Sequence, residues 1–328
     1  MRCTRWRQNG CELNLQISTP EKNINNEFND MIINGVTIDA TFAEAFPMKA
    51  TRAIITAQNE KWAMISAQAM TGFATSVIAC GCEAGIERVL EPSETPDGRP
   101  GVSIMIFAMG GKGLAKQLET RAGQCVLTSP TSALFAGIDG GTRIALGKNL
   151  RYFGDGFQVS KLIDGKRYWR IPVMDGEFLT EATTAQVDAV GGGNFLVLAE
   201  SQPQALAACE AAIEEMRKIP NVIMPFPGGV VRSGSKVGSK YASLGASTND
   251  AFCPTLKGMT QTDLSPEIES VMEIVIDGLS KEDIDKAMRV GIQAVCDLGA
   301  TAGIKRISAG NYGGKLGPFH FHLQEIMA

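Results

Sequence analysis

The order of strand-like and helix-like segments in the second half of the chain constrains the fold most. An apolar segment precedes an amphipathic helix that begins near Ser201 and ends before Pro220, and a second helix begins at Ser280. Strands are predicted at 195–199, 222–224, 272–276 and 304–308, on either side of these helices. The resulting order is the βαββαβ pattern of a ferredoxin-like unit.

The first half repeats the same order less clearly. Strands are predicted at 53–57, 75–79 and 102–107, and helices at 61–70 and 114–124. We therefore predict an α/β (α+β) protein with two ferredoxin-like lobes, 31–170 and 171–328. A doubly wound nucleotide-binding fold is the alternative, but no G-x-G-x-x-G follows the first strand.

Residues 1–30 differ from the rest of the chain. They are polar and rich in Asn, without a sustained period, and no apolar segment of a secretory signal follows the basic start. We interpret them as a flexible extension or as a start codon placed too far upstream.

Composition excludes several classes of protein. The net charge is −4, which gives no basic bias for nucleic-acid binding. No apolar run reaches the ~18–20 residues of a membrane helix. Eight cysteines are scattered without a C-x-x-C pair, as in a reduced cytoplasmic protein. The only histidines, His320 and His322, could supply two metal ligands, fewer than zinc needs, so a structural pair is the favoured interpretation.

The segment 225–254 has the composition of a ligand-binding loop. It has five glycines between Gly228 and Gly245 among hydroxyl and cationic side chains. Such glycines let the backbone approach a ligand closely, and the neighbouring N–H groups and cations can bind carboxylates or phosphate. A solvated surface loop is the alternative interpretation. The sequence thus predicts a cleft for a large, polar, anionic substrate.

Glu273 lies within the apolar strand VMEIVI, on the same face as Val275 and Asp277. Burial there would raise its pKa and let it hold a proton near neutral pH. A glutamate on the solvent face of the sheet is the other possibility that the sequence leaves open.

Long segments of the chain resemble the formylmethanofuran:tetrahydromethanopterin formyltransferase family. The matching segments include PFPGGVV, SGSKVGSK, ASTNDAFCPT, GGNFLVLAESQP and ISAGNYGGKLG, and the resemblance runs from about Met31 to the C-terminus. It implies formyl transfer between the amines of two one-carbon carriers, methanofuran and tetrahydromethanopterin, as in methanogenesis or methylotrophy. Glu273 matches a family glutamate proposed to act in this transfer.

The resemblance and the loop composition together suggest a set of substrate-binding residues. They are Arg232, Ser235, Lys236, Ser247, Thr248, Asn249, Asp250, Asn194, Asn311 and Lys315. The resemblance also implies a cytoplasmic homotetramer without metal or tightly bound cofactor, and possible partners in a formyltransferase/hydrolase complex. Two alternatives stay open: a non-catalytic structural subunit of such a complex, and a metal-dependent hydrolase built around His320 and His322.

Overall fold

The computed structural model describes residues 31–328, so the predicted extension at 1–30 lies outside the described residues. In chain order the strands are β1 Met31–Ile33, β2 Val36–Ile38, β3 Phe42–Thr56, β4 Thr75–Ser76, β5 Cys82–Leu90, β6 Gly101–Ala108, β7 Ala133–Ala136, β8 Thr142–Ala145, β9 Val159–Ile163, β10 Lys166–Val173, β11 Gly176–Glu181, β12 Thr183–Ala199, β13 Val222–Ile223, β14 Ser235–Val237, β15 Ala246–Thr248, β16 Ser270–Gly278, β17 Ile304–Ser308 and β18 Phe319–His322. The α-helices are α1 Glu60–Thr71, α2 Val77–Cys80, α3 Gly111–Arg121, α4 Gly147–Leu150, α5 Gln202–Met216, α6 Lys281–Leu298 and α7 Leu323–Met327.

The first lobe is a ferredoxin-like unit made of β3, α1, β5, β6, α3 and β7. Its strands lie in the order β7–β3–β6–β5, and every neighbouring pair is antiparallel. Helices α1 and α3 pack on one face of this sheet, where Ala63, Met70, Leu114 and Leu118 share a core with Ile55. Strand residues alternate between the two faces, so this core takes the alternate residues Ala53 and Ile55 of β3.

The second lobe repeats this arrangement with β12, α5, β13, β16, α6 and β17. Its strands lie in the order β17–β12–β16–β13, again all antiparallel. Ser280 caps α6 by accepting a hydrogen bond from the Asp283 amide at 3.1 Å. Ile284, Met288 and Ile292 then face the core beside Phe195. The predicted two-lobe, ferredoxin-like α+β fold is therefore confirmed.

The two lobes share one sheet because the first strands of the two units pair with each other. Residues 46–50 of β3 run antiparallel to residues 187–191 of β12. A strand that precedes each ferredoxin-like unit pairs with the other lobe. Strand β2, before the first unit, pairs with β17, and β11, before the second unit, pairs with β7, both in parallel. The boundary predicted between residues 170 and 171 falls within β10 and stays a prediction.

One predicted element is wrong. Residues 75–79, predicted as a strand, form only the two-residue β4 before the chain turns into α2. The Ser76 hydroxyl accepts a hydrogen bond from the Ile78 amide, and Gly81 ends the helix with a φ of 78°. The strand that lies beside β6 is instead β5, which the sequence analysis did not predict.

Candidate active site

A cleft of about 580 Å³ lies at the junction of the two lobes. The first lobe contributes the beginning of β3, the segment Thr75–Ile78 and Glu83. The second lobe contributes the bulge of β12, strand β16 and the loops around Arg232 and Asn311. The pairing of β3 with β12 brings these parts together, so the cleft exists only when both lobes are folded.

Glu273 lies in the middle of β16, at the wall of this cleft. Its backbone pairs with Leu196 on one side, and on the other it exchanges hydrogen bonds of 2.7 and 2.9 Å with Val231. These bonds hold the start of the glycine-rich segment against the strand. Its side chain is half-buried and lines the cleft, and burial raises the pKa of this carboxyl to about 7. Glu273 can therefore take up and release a proton near neutral pH.

The glycine-rich segment folds as a short hairpin of β14 and β15 after Gly234. Ser235 pairs with Thr248, and the next pair is Lys236 with Ser247. Successive residues of a strand point to opposite faces, so Ser235 and Thr248 line the cleft whereas Lys236 and Ser247 do not. Lys236 instead forms an ion pair with Asp250, and the Ser247 hydroxyl donates a 2.7 Å hydrogen bond to the Gly238 carbonyl.

Asn194 connects the bulge of β12 to the loop that follows β17. Its amide nitrogen donates 3.1 Å hydrogen bonds to the carbonyls of Gly192 and Gly310, and its side-chain oxygen accepts one of 2.6 Å from the Gly310 amide. Asn311, which follows Gly310, donates a 3.1 Å hydrogen bond from its side-chain nitrogen to the carbonyl of Phe42. Both asparagines line the cleft, and these bonds hold its wall in place.

Glu44 fixes the other part of the same loop. Its buried carboxylate accepts hydrogen bonds of 2.6–2.8 Å from the four backbone amides of Tyr312, Gly314, Leu316 and Gly317. Burial alone would raise the pKa of Glu44, but these four N–H groups outweigh it and lower the pKa to about 2. Glu44 is thus an ionised anchor for the loop.

Tyr312 is held by this loop next to the hairpin and Glu273. Its side chain lines the cleft together with Ser235 and Glu273. Burial and the nearby Glu273 carboxylate raise the pKa of the Tyr312 phenol, so it is a hydrogen-bond donor at neutral pH. The cleft therefore combines an O–H donor with a carboxyl of near-neutral pKa.

Seven of the residues predicted from the sequence line the cleft. They are Glu273, Arg232, Ser235, Thr248, Asn249, Asn194 and Asn311. Lys236, Ser247, Asp250 and Lys315 do not line it. Arg232 is exposed and makes no salt bridge with an acidic side chain among residues 31–328, so its charge is available to a ligand.

The sequence analysis did not select Glu44, Glu83 or Tyr312, which also line the cleft. Glu44 carried a usable signal, because it is a single charge in the apolar segment FAEAF, as Glu273 is in VMEIVI. Glu83 and Tyr312 carried no comparable signal, since their places in the cleft depend on contacts between distant parts of the chain.

The two histidines lie away from the cleft, on β18. Their ring centroids are 6.4 Å apart, and the Phe42 ring lies within 4.7 Å of His320 and 5.2 Å of His322. In the described part of the chain, no three His, Cys, Asp or Glu side chains are grouped as a metal site would require. Within residues 31–328, no helix combines the length and hydrophobicity that a transmembrane segment needs.

The arrangement suits acyl transfer between two bound molecules. Glu273 can move a proton, the Tyr312 hydroxyl and backbone amides of the glycine-rich segment can stabilise a developing oxyanion, and Arg232 can bind an anionic group.

Comparison with known proteins also indicates acyl transfer. The family model described as "Formylmethanofuran-tetrahydromethanopterin formyltransferase" matches residues 31–173, and the one described as "FTR, proximal lobe" matches residues 176–326.

Similar proteins match over nearly their whole length. A formylmethanofuran–tetrahydromethanopterin formyltransferase of Methylococcus capsulatus is 83% identical over 298 residues, which cover 91% of this chain and 100% of that protein. A solved structure of the Methanosarcina barkeri formyltransferase superimposes with a TM-score of 0.86 at 46% identity, covering 90% and 100% of the two chains. A chain of the Methylorubrum extorquens formyltransferase/hydrolase complex, solved with methylofuran, gives a TM-score of 0.89 at 52% identity, covering 91% and 99%.

Proposed function

The chain belongs to the formylmethanofuran–tetrahydromethanopterin formyltransferase family, and we propose that its cleft transfers a formyl group between the amines of these two carriers. The single observation that carries this proposal is the half-buried Glu273 carboxyl, with a pKa near 7, beside the glycine-rich hairpin. The proposed reaction exchanges one amide for another, by direct attack of the incoming amine on the formamide carbon.

The tetrahedral intermediate places a negative charge on the former formyl oxygen. Preorganised donors at such an oxyanion typically contribute about 3–4 kcal/mol each. We assign this role to N–H and hydroxyl groups of the segment that contains Ser235, with Tyr312 as a further donor. Glu273 would bond this oxygen when protonated, or carry a proton between the amines when ionised.

Arg232, Thr248 and Asn249 are proposed to bind and orient the carriers, which the family resemblance describes as long anionic molecules. The exposed guanidinium of Arg232 can bind a carboxylate or phosphate in two-pronged geometry. Lys236 and Asp250 are proposed to act indirectly, since their ion pair braces the hairpin. No metal or prosthetic group is proposed for the reaction, because amide exchange needs only proton transfer and oxyanion stabilisation.

The assembly and its partners are also proposals. One relative, from Methylorubrum extorquens, is named as part of a formyltransferase/hydrolase complex and is 53% identical over 304 residues. This supports a similar complex for the present chain, beside the cytoplasmic homotetramer that the resemblance implies. Molar-mass measurement of the purified chain, alone and after co-purification, would distinguish the two assemblies.

The test is an assay of the purified protein with formylmethanofuran and tetrahydromethanopterin, without added metal or nucleotide. We expect steady formation of 5-formyl-tetrahydromethanopterin, and a fall of about 10²–10⁴-fold in turnover for Glu273→Gln. Glu269→Gln is the matched control, because this glutamate is 63% exposed next to the start of β16. Binding of both carriers without transfer would instead indicate a structural subunit, and turnover lost only with chelator would indicate a metal-dependent hydrolase.

A further inference from the structure

Glu83 and Asp277 form a pair of carboxyls between the two lobes. Glu83 lies on β5 of the first lobe and lines the cleft, whereas Asp277 lies near the end of β16 and is 0% exposed. The two side chains lie within hydrogen-bond reach of each other. Glu83 also accepts a 3.1 Å hydrogen bond from the Val77 amide, and Asp277 accepts one of 3.1 Å from the Gly192 amide.

One oxygen of this pair requires a proton. The second carboxyl oxygen of Asp277, Oδ2, is buried and has no hydrogen-bond donor among the groups of residues 31–328. Two ionised carboxylates in contact, one of them fully buried, would be prohibitively unfavourable. A proton held between Glu83 and Asp277 supplies the missing donor and removes one of the two charges.

The surroundings of the pair support this assignment. Met48, Val77 and Ile223 belong to one apolar cluster, within which Ile223 pairs with Asp277 and the Val77 amide donates to Glu83. Burial raises the pKa of both carboxyls, and the charge of Glu83 raises that of Asp277 further. The pair is therefore set up to keep one proton at neutral pH.

Few of the carboxyls that line the cleft can exchange a proton at neutral pH. Its lining carboxyls, within the described part of the chain, are Glu44, Glu83 and Glu273. Glu44 is held ionised by four backbone amides, with a pKa of about 2. Glu83 and Glu273 remain as the lining carboxyls, among residues 31–328, whose pKa is raised by burial, that of Glu273 to about 7.

Formyl transfer between two amines needs proton transfer at two separate nitrogen atoms. A C–N bond forms between the attacking nitrogen and the formyl carbon, and this nitrogen loses a proton. The C–N bond to the first carrier then breaks, and its nitrogen gains a proton, so protons and charge balance without a further reactant. A donor and an acceptor at different places in the cleft match this requirement.

We infer that Glu83 is a second proton-transfer residue of the cleft, and that Asp277 is a positioning residue that shares one proton with Glu83. This inference rests on the proposed formyl transfer. Glu273 and Asp277 lie four residues apart on one face of β16, or about 13 Å along the strand. Glu83 approaches from the opposite lobe, so the two proton-exchanging carboxyls face the substrates from different sides.

The first measurement concerns the proton itself and needs no substrate. Infrared spectroscopy at pH 7, with all proteins carrying Glu273→Gln to remove the band of that partly protonated carboxyl, should show the carbonyl stretch of a protonated, buried carboxylic acid. This band should be lost in Glu83→Gln and Asp277→Asn. It should remain in Asp188→Asn, the matched control, whose carboxyl is 89% exposed on β12 and does not line the cleft. A spectrum in which the two variants lose no such band overturns the inference, whatever the activity.

The second measurement is the pH dependence of turnover. Asp277→Asn removes the shared proton and leaves Glu83 as the one titrating group of the pair, so the limb at which activity falls with rising pH should move to lower pH by at least about one unit. Glu83→Gln should lower kcat about 100-fold with little change in KM. A limb that stays in place in Asp277→Asn, with turnover of Glu83→Gln within twofold of wild type, contradicts the inference. Absence of transfer by the wild type would refute the proposed function, whereas the infrared result would still decide on the shared proton.

Discussion

At the scale of single residues, Glu273 shows how a position in the strand sets the chemistry of a side chain. It occupies the half-buried face of β16, between the apolar Met272 and Ile274, whose side chains point into the second lobe. Desolvation of its carboxylate raises the pKa to about 7. The same desolvation must lower the stability of the folded protein wherever Glu273 is ionised.

This coupling predicts how the stability of Glu273→Gln depends on pH. The folded pKa of about 7 lies above the ordinary value of 4.5, so the folded state binds more protons between these values. The free energy of unfolding of the wild type should fall as pH rises through this window, and the glutamine variant should lack the fall. We expect the variant to be more stable than wild type by about 1–3 kcal/mol at pH 8, with a smaller difference at pH 5. Urea unfolding of wild type and variant at pH 5 and pH 8 measures this difference in stability, with Glu269→Gln as the control. An equal difference at the two pH values would contradict the raised pKa of Glu273.

Arg232 tests the electrostatic part of the site. Replacement by Gln removes an exposed cation at the cleft, so we expect KM for the anionic carriers to rise about tenfold with kcat nearly unchanged. The difference from wild type should shrink at high ionic strength because salt screens exposed charges. Lys315→Gln is the control, since this lysine is exposed but does not line the cleft. Equal effects of the two substitutions would show that net charge, rather than position, governs binding.

At the scale of elements, the sequence predicted what local pattern determines and missed what distant pairing determines. Helix α6 and strand β16 follow from amphipathic and apolar periodicity. The length of β3 does not, because only its second half is an apolar run. Its first half contains Glu44 and Pro47 and is a strand because β12 and β18 pair with it.

The candidate active site shows the same difference between what local pattern determines and what distant pairing determines. Glu273 was identifiable as a lone charge in an apolar strand, whereas the hairpin residues required the register of β14 and β15. That register directs Ser235 toward the cleft and Lys236 away from it, and a shift of one residue would exchange them. Composition alone predicted that the segment carries binding groups but could not assign its two faces.

The loop 310–317 gives a prediction at this scale. Glu44→Gln replaces one acceptor oxygen with an amide group that cannot accept from the converging N–H groups. We expect a loss of about 1–3 kcal/mol in the free energy of unfolding and faster amide hydrogen exchange within 310–317. Exposed Glu325→Gln, on α7, serves as control.

Acid titration provides an independent check of Glu44. Its pKa is lowered to about 2 from 4.5, so its contribution to stability is fully present above pH 4.5 and is lost as pH falls toward 2. Glu44→Gln should therefore show a smaller loss of stability than wild type over this interval. Parallel acid-unfolding curves for the two proteins would mean that the carboxylate does not hold the loop.

At the scale of the whole molecule, the two lobes are held together by a buried polar network as well as by the shared sheet. Arg52 of β3 donates hydrogen bonds of 2.7 and 2.6 Å to the carboxylate of Glu87 on β5, and one of 2.7 Å to the side chain of Asn221. The amide of Asn221, in the second lobe, donates to Glu87 at 2.9 Å. Burial of Glu87 would raise its pKa, but the bonds and charge of Arg52 lower it, so the pair is ionised.

This network predicts that one substitution in the first lobe destabilises both lobes. Glu87→Ala leaves the largely buried Arg52 side chain, 18% exposed, without its counter-ion and removes the acceptor of the Asn221 amide, which should cost about 3 kcal/mol. Replacing the pair together, as Arg52→Met with Glu87→Leu, should recover much of that loss because no buried charge remains unpaired. Urea unfolding of the single and double variants measures both values. Hydrogen exchange locates the effect: protection should fall around Asn221 and β13 as well as in β5. Loss of protection confined to β5 and β6 would show that the shared sheet alone couples the lobes, and that the cleft between them does not depend on Arg52 and Glu87.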